Sequence, residues 1–340
     1  MKILVTGGLG FIGSHTVVEL QTEGYDVIII DNCSNSSTDV LKGIEAITGK
    51  LPIFENFDLR EKDKVEDFFT RHKDIEGVIH FAASKAVGES VENPLLYYEN
   101  NISVLVYVLK ELQKKDKTSF IFSSSCTVYG QADELPITEN APVKIAESPY
   151  GNTKQIGEEI IKDVCKVKPN LNAIALRYFN PIGAHPSTEI GELPIGVPQN
   201  LIPFITQTGI GIREELSVFG DDYPTEDGTC IRDYIHVVDL AKAHVIALQR
   251  LLNMTNTSNY EVFNVGTGTG SSVLEVIQSF EKVSQQKLNY KIVDRREGDI
   301  ISAFANTDKA NKELGWKAKS SLDEALSSAW KWEQKVRGKN

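Results

Sequence analysis

The sequence predicts a doubly wound α/β fold: a parallel sheet with helices on both faces, followed by a smaller mixed C-terminal domain. Three observations carry this reading. In the first half, short β-branched apolar runs alternate with longer amphipathic stretches, the rhythm of consecutive βαβ units. Directly after the first run stands Thr6-Gly7-Gly8-Leu9-Gly10-Phe11-Ile12-Gly13, in which Gly8, Gly10 and Gly13 satisfy G-x-G-x-x-G between a strand and a helix. The second run ends in a carboxylate, Asp31, 18 residues beyond Gly13.

Strands are expected at 2–6, 26–30, 52–57, 76–81, 118–123 and 172–177, and helices between them at 11–23, 38–48, 61–72, 92–114 and 149–167. Right-handed crossovers place those helices on both faces and leave a crevice at the strand carboxyl ends. After Arg177 the texture changes to Pro- and Gly-rich loops, as in Asn180-Pro181-Ile182-Gly183 and Pro194 to Pro198. The expected division is therefore a nucleotide-binding domain over 1–180 and a substrate-binding domain over 181–340, with segments near 234–266 free to pack back on the first. The second part reads as helices near 198–208, 239–252, 272–284 and 321–335 and strands near 216–219, 260–265 and 289–293. Ser272-Val273-Leu274-Glu275 reads as a capping box.

Glycines in the first turn let backbone N–H groups approach a pyrophosphate, which the following helix N-terminus also attracts, so Gly7, Gly10 and Gly13 are candidate dinucleotide contacts. A carboxylate at Asp31 accepts ribose hydroxyls and repels a 2′-phosphate, and no Arg stands beside it; NAD is favoured over NADP. Asp58, ending the third strand, reads equally well as an adenine contact or as an ordinary strand-end cap.

Composition narrows the class. The 340 residues, 41% hydrophobic and 24% charged, support a sizeable core. A formal charge of −11 disfavours nucleic acid and anionic membrane, so an anionic ligand must find local basic groups. Cys33, Cys126, Cys165 and Cys230 match neither a disulfide framework nor a metal spacing, and no metal is expected. With no signal-peptide pattern and no membrane-length apolar run, a cytoplasmic protein is expected.

Ser148-Pro149-Tyr150-Gly151-Asn152-Thr153-Lys154 sets a Tyr and a Lys four apart at a helix start, with Ser148 as N-cap and Pro149 at the first helical position. The two side chains then share a face. Bringing a phenol from about 10 to near 7 takes about 4 kcal/mol, which an ammonium, a helix N-terminus and a nicotinium charge together can supply. Ser125, in Ser123-Ser124-Ser125-Cys126-Thr127, ends a strand at the same sheet edge and is placed to share a proton with Tyr150 over a substrate hydroxyl.

The Gly-rich turn, the Ser125-Tyr150-Lys154 set and Arg177-Tyr178-Phe179-Asn180-Pro181-Ile182-Gly183-Ala184-His185-Pro186 together resemble the UDP-galactose 4-epimerases, of the extended short-chain dehydrogenase/reductase family with a Rossmann-type sheet. Lys85-Ala86-Val87-Gly88-Glu89-Ser90, Arg232-Asp233-Tyr234-Ile235-His236 and Arg295-Arg296-Glu297-Gly298-Asp299 extend the likeness over nearly the whole chain. The resemblance implies that Phe11, Ile12, Asp31, Asn32, Asp58, Leu59, Phe81, Lys85, Asn100, Tyr150, Lys154 and Phe179 contact NAD. It implies that Lys85, Ser125, Tyr150, Asn180, Asn200, Leu201, Arg232, Arg296 and Asp299 hold a UDP-sugar, with Ala303 facing its C2′ substituent.

It further implies a homodimer built from helices near 92–114 and 149–167, and interconversion of UDP-galactose and UDP-glucose through a 4-keto sugar, with the N-acetylated pair admitted past the small Ala303. The chain departs from the pattern at Ala83-Ser84, commonly Gly-Leu, and at Cys126, commonly Ala. A 4,6-dehydratase is the nearest rival, but such relatives place Asp-Glu where this chain has Cys126-Thr127. A non-catalytic NAD-binding regulator would not need Ser125, Tyr150 and Lys154.

Overall fold

The computed structural model describes residues 1–296 and 299–338. In chain order its elements are β1 (Lys2–Thr6), α1 (Phe11–Thr22), β2 (Asp26–Asp31), α2 (Asp39–Thr48), β3 (Ile53–Asn56), α3 (Lys62–Arg71), β4 (Ile75–His80), α4 (Val87–Glu92), α5 (Pro94–Tyr98), α6 (Val104–Leu112), β5 (Thr118–Ser125), α7 (Pro149–Val167), β6 (Leu171–Tyr178) and β7 (Asn180–Ile182). They continue with α8 (Leu201–Gly209), β8 (Leu216–Phe219), β9 (Ile231–Arg232), β10 (Tyr234–His236), α9 (Val237–Leu252), β11 (Tyr260–Val265), β12 (Ser271–Ser272), α10 (Val273–Ser284), β13 (Tyr290–Val293), β14 (Ser302–Ala303) and α11 (Leu322–Val336).

Seven strands form one parallel sheet in the order β11-β6-β5-β4-β1-β2-β3. Alternation along each strand feeds two cores. Ile3, Val5, Ile29 and Ile79 face α1 and α9, while Leu4, Ile28, Val78 and Phe120 face α3, α6 and α7. Burial on both faces explains why these strands read as unbroken apolar runs rather than alternating ones. A third core, around Ile205, Phe280, Leu326 and Trp330, joins α8, α10 and α11. Strand β11 follows the third-core helix α8 in sequence, yet it closes the edge of the main sheet beside β6.

The expected helix over 92–114 is broken. Pro94 opens a new segment after Asn93, whose φ of −130° and ψ of 62° lie outside the helix. Residues Glu99–Ser103 then form a π turn before α6. The extra residue brings both Asn100 and Asn101 toward one loop: Asn101 Oδ1 accepts from the Ser84 N–H at 2.8 Å, and Asn100 Nδ2 donates to Ser84 Oγ at 3.1 Å. The expected caps are present. Ser148 Oγ accepts from Gly151 N–H with Pro149 in the first turn, and Ser272 and Glu275 close a reciprocal capping box. Among the described residues no helix is long and apolar enough to cross a membrane.

Candidate active site

The carboxyl ends of β1 to β6 converge on one edge of the sheet, and the candidate dinucleotide residues stand there. In the first turn Gly7 has φ +69°, and a Cβ on it would meet Ala82 N at 2.8 Å. A Cβ on Gly13 would lie 2.3 Å from Gly7 O, so α1 reaches this close to the turn only with glycine. Gly10 caps α1 with no side-chain hydrogen bond, leaving Phe11 and Ile12 to begin a helix whose first N–H groups face the turn. Asp31 ties the loops together: it accepts from Leu9 N–H at 3.1 Å, Cys33 N–H at 2.9 Å and Ser36 Oγ at 2.9 Å. Asn32 donates to Asp58 at 3.0 Å, and the Arg60 guanidinium beside Asp58 holds that carboxyl down at about 2. Leu59 is buried next to it. A glycine cradle no Cβ would fit and a carboxylate at the end of β2 suit a dinucleotide.

Phe81 follows β4 with its ring centroid 4.7 Å from that of His244, and Phe179 is buried at the end of β6. Lys85 is half-exposed, with Nζ 3.9 Å from Glu192 Oε1; the same oxygen accepts from Asn200 at 2.7 Å, just ahead of Leu201. Glu192, which sequence reasoning passed over, thus joins two candidate ligand contacts.

Tyr150 and Lys154 rise from the first turns of α7 and are both buried. Lys154 Nζ donates to Ser123 O at 2.6 Å and lies 5.7 Å from the centroid of the Tyr150 ring. Ser125, at the end of β5, accepts from Thr127 N–H at 3.2 Å. Burial pushes the Tyr150 phenol well up, the neighbouring Tyr178 adds to this, and the Ser125 hydroxyl pulls the other way. Burial draws Lys154 down to about 8, opposed by Glu158. The lowering of the phenol expected from its neighbours is therefore not achieved by the side chains alone, because desolvation of the phenolate outweighs them.

The candidate substrate groups come from the short strands. Arg232 in β9 is hydrogen-bonded to Asp299 and is the ladder partner of Ala303 in β14. Asn180 N–H donates to Asp233 O at 2.9 Å, which brings β7 alongside Arg232. Asp233 is fully buried and accepts from Thr267, Gly268 and Ala305 N–H groups, fixing that strand. The Arg296 guanidinium stacks 4.4 Å from the Phe219 ring centroid, and its carbonyl accepts from Asp299 N–H at 3.2 Å. Glu297 and Gly298 of the same motif lie outside the described residues. Ala303 is 2% exposed and packs with Val128, Tyr129 and Phe179.

The family model described as GDP-mannose 4,6 dehydratase matches residues 4–329. A UDP-glucose 4-epimerase of Bacillus subtilis is 50% identical over 333 residues, covering 98% of this chain and 97% of that protein. That of Mus musculus is 47% identical over 339 residues, covering 98% and 96%. The chain belongs to the UDP-glucose 4-epimerase family. A crystal structure of the Bifidobacterium longum epimerase in complex with NAD+ and UDP matches with a TM-score of 0.95 at 46% identity over all of both chains. The Stenotrophomonas maltophila epimerase, with bound NAD and formylated UDP-arabinopyranose, matches with a TM-score of 0.95 at 45% identity, again over both chains in full.

Against the dehydratase description of the family model, the residues after Ser125 offer no acid. Cys126 is pushed up to about 11 by burial, and Thr127 Oγ1 is a buried hydroxyl with no hydrogen-bond partner among the described residues. An epimerase needs neither.

Three histidines are buried on elements packed against the main sheet or within it: His15 on α1, His80 at the end of β4 and His244 on α9. Burial pushes them down to about 3, 3 and 4. In the unfolded chain they titrate near 6.5, so the native state binds fewer protons and its stability falls as pH drops from about 6.5 toward 4. Three such groups contribute a slope of up to about 4 kcal/mol per pH unit below pH 5.5. The melting temperature should therefore fall between about pH 6.5 and 5, before the carboxylates that the fold holds ionised begin to protonate. A flat melting temperature across that interval would contradict the neutral assignment.

Proposed function

We propose that this chain interconverts UDP-galactose and UDP-glucose by carrying C4′ of the sugar through a ketone and back, with NAD retained through the cycle. The observation that carries this reading is the convergence of Ser125, Tyr150 and Lys154 on the sheet edge that also holds the glycine turn and Asp31, in a member of this family. NAD, when bound, accepts the hydride from C4′ and returns it. The chain's own groups handle the proton and the orientation. Tyr150 Oη takes the proton of the 4′-hydroxyl while Ser125 Oγ hydrogen-bonds the same oxygen, so loss of the proton and of hydride leaves a C=O bond.

Lys154 favours the phenolate by its charge, and the helix N-terminus at Pro149 adds to it. Arg232 and Arg296 are assigned to the diphosphate and Asn180, Asn200, Leu201 and Asp299 to the rest of the UDP-sugar, an assignment supported by their matching motifs and by the Arg232–Asp299 pair. With UDP held, the ketose turns about its link to the diphosphate, presents its other face, and the steps reverse. Residues 1–180 are assigned to nucleotide and 181–340 to substrate, apart from the 234–266 segment, whose α9 and β11 pack with the main sheet.

Incubation with UDP-galactose alone is the test. UDP-glucose should form without added nicotinamide, whereas a dehydratase would lose water and a regulator would leave the substrate unchanged.

The substrate range is proposed to include UDP-GalNAc and UDP-GlcNAc, because Ala303 presents only a methyl group where a large side chain would exclude an acetamido substituent. Ala303→Tyr should spare UDP-galactose and lower kcat/KM for UDP-GalNAc by roughly 10–200-fold. A wild-type protein inert to UDP-GalNAc, or equal losses on both substrates, would remove Ala303 from this role.

The same reading includes a homodimer through the 92–114 and 149–167 segments, supported by Leu95, 80% exposed on α5, and checked by light scattering. Cytoplasmic residence is also proposed, supported by four free cysteines.

A further inference from the structure

Tyr150, Lys154 and Glu158 follow one another at intervals of four on α7, so their side chains rise from one face, one turn apart. The proton chemistry uses the first two and leaves the third without a role. Glu158 is 7% exposed, and its carboxylate accepts from Ser124 Oγ at 2.5 Å, Arg177 Nε at 2.9 Å, Arg177 Nη2 at 2.6 Å and Tyr260 Oη at 3.2 Å. A buried ion pair is often no more stabilising than apolar groups of the same volume, so stability alone does not account for this one.

Its placement does. Ser124 lies between Ser123, whose carbonyl receives Lys154 Nζ, and Ser125. Arg177 is the ladder partner of Ser124 and precedes Tyr178, whose hydroxyl is 2.5 Å from Ser123 Oγ. One carboxylate therefore pins β5, β6 and α7 together at the level of the reacting groups.

We propose that Glu158 is a positioning residue for proton transfer: fixed by Arg177 and Ser124, its negative charge holds Lys154 as an ammonium against the Ser123 carbonyl, ready to stabilise the Tyr150 phenolate. The surroundings of Lys154 leave this task to it. On α7 the neighbours are Tyr150 and Glu158; from β4 comes His80, from β5 the Ser123 carbonyl and the Phe122 ring at 5.0 Å, and across Ser123 lies Tyr178. Burial keeps His80 neutral at about 3, and Tyr178, raised to about 12, is neutral as well. Burial works against the Lys154 charge and Glu158 opposes it, while the Arg177 guanidinium paired to Glu158 from β6 offsets part of that effect.

The inference rests on the reading of Tyr150 and Lys154 as the proton-handling pair, and the experiment separates the two. The Lys154 ¹⁵Nζ resonance, assigned by its loss in Lys154→Met, is titrated in NAD-loaded wild type, Glu158→Gln, Glu158→Asp and the double variant Glu158→Gln/Arg177→Gln. The double variant removes both charges and leaves no buried guanidinium unpaired. The expected result is a Lys154 midpoint lower by about one pH unit in both Gln variants and restored in Glu158→Asp, with the alkaline limb of UDP-galactose epimerisation moving by the same amount. An unmoved midpoint in the folded double variant overturns the proposal. A moved midpoint in a wild-type background that does not epimerise UDP-galactose leaves Glu158 in its role and overturns the function instead.

Discussion

Tyr150→Phe should keep the fold and the bound nucleotide and lose turnover by at least about 100-fold, the scale of removing a general acid–base group. The substitution deletes one oxygen from a ring that is already 9% exposed, so packing against Ser125 and Tyr178 is retained and the loss is chemical. The phenol is costly to ionise in that setting, since burial pushes it up and the second phenol at Tyr178 adds to the effect. Ionisation is therefore expected only when further positive charge reaches the ring, which ties proton removal to the presence of an oxidised nicotinamide. Epimerisation rates measured beside nucleotide released on denaturation provide the check. Near-normal turnover in a fully loaded Tyr150→Phe protein would refute the assignment.

Gly13→Ala should strip the protein of nucleotide and of activity together. Its new methyl carbon would sit 2.3 Å from Gly7 O and 2.9 Å from Gly8 Cα, both backbone atoms of the turn, so relief requires α1 to move away from β1. Such a shift displaces the helix N-terminus from the position where a pyrophosphate would meet it. Gly10→Ala is the informative contrast, because its Cβ would meet only Gly7 O, at 3.3 Å. Nucleotide lost from Gly10→Ala at unchanged melting temperature reports the approach of the ligand itself. Full NAD content in Gly13→Ala would show that the turn tolerates what its geometry forbids.

The main sheet was legible in the sequence because its inner strands are buried on both faces and long enough to carry an apolar run; β1, β2, β4, β5, β6 and β11 all lie within two residues of expectation, as does the short, exposed edge strand β3. The short ladders β7, β9, β10, β12 and β14 were not, since two or three residues hold no periodic signal. They matter most for the candidate substrate site, and only motif resemblance pointed to Arg232 and Ala303. The break at Asn93-Pro94 carried its own marker in the proline, but the π turn that turns Asn101 toward Ser84 and Thr153 has none. Glu158 was within reach of the same spacing argument that paired Tyr150 with Lys154, extended by one more turn.

The strand order also bears on how the chain is made. β11 completes the sheet beside β6, yet about 80 residues separate the two, and they include the whole of α8 and α9. On a ribosome adding roughly 5–20 residues per second, the β6 edge therefore waits several seconds for its neighbour. During that interval its unpaired N–H and C=O groups invite other strands, and a chaperone or rapid translation of codons 180–260 would protect yield more than any change in the finished core.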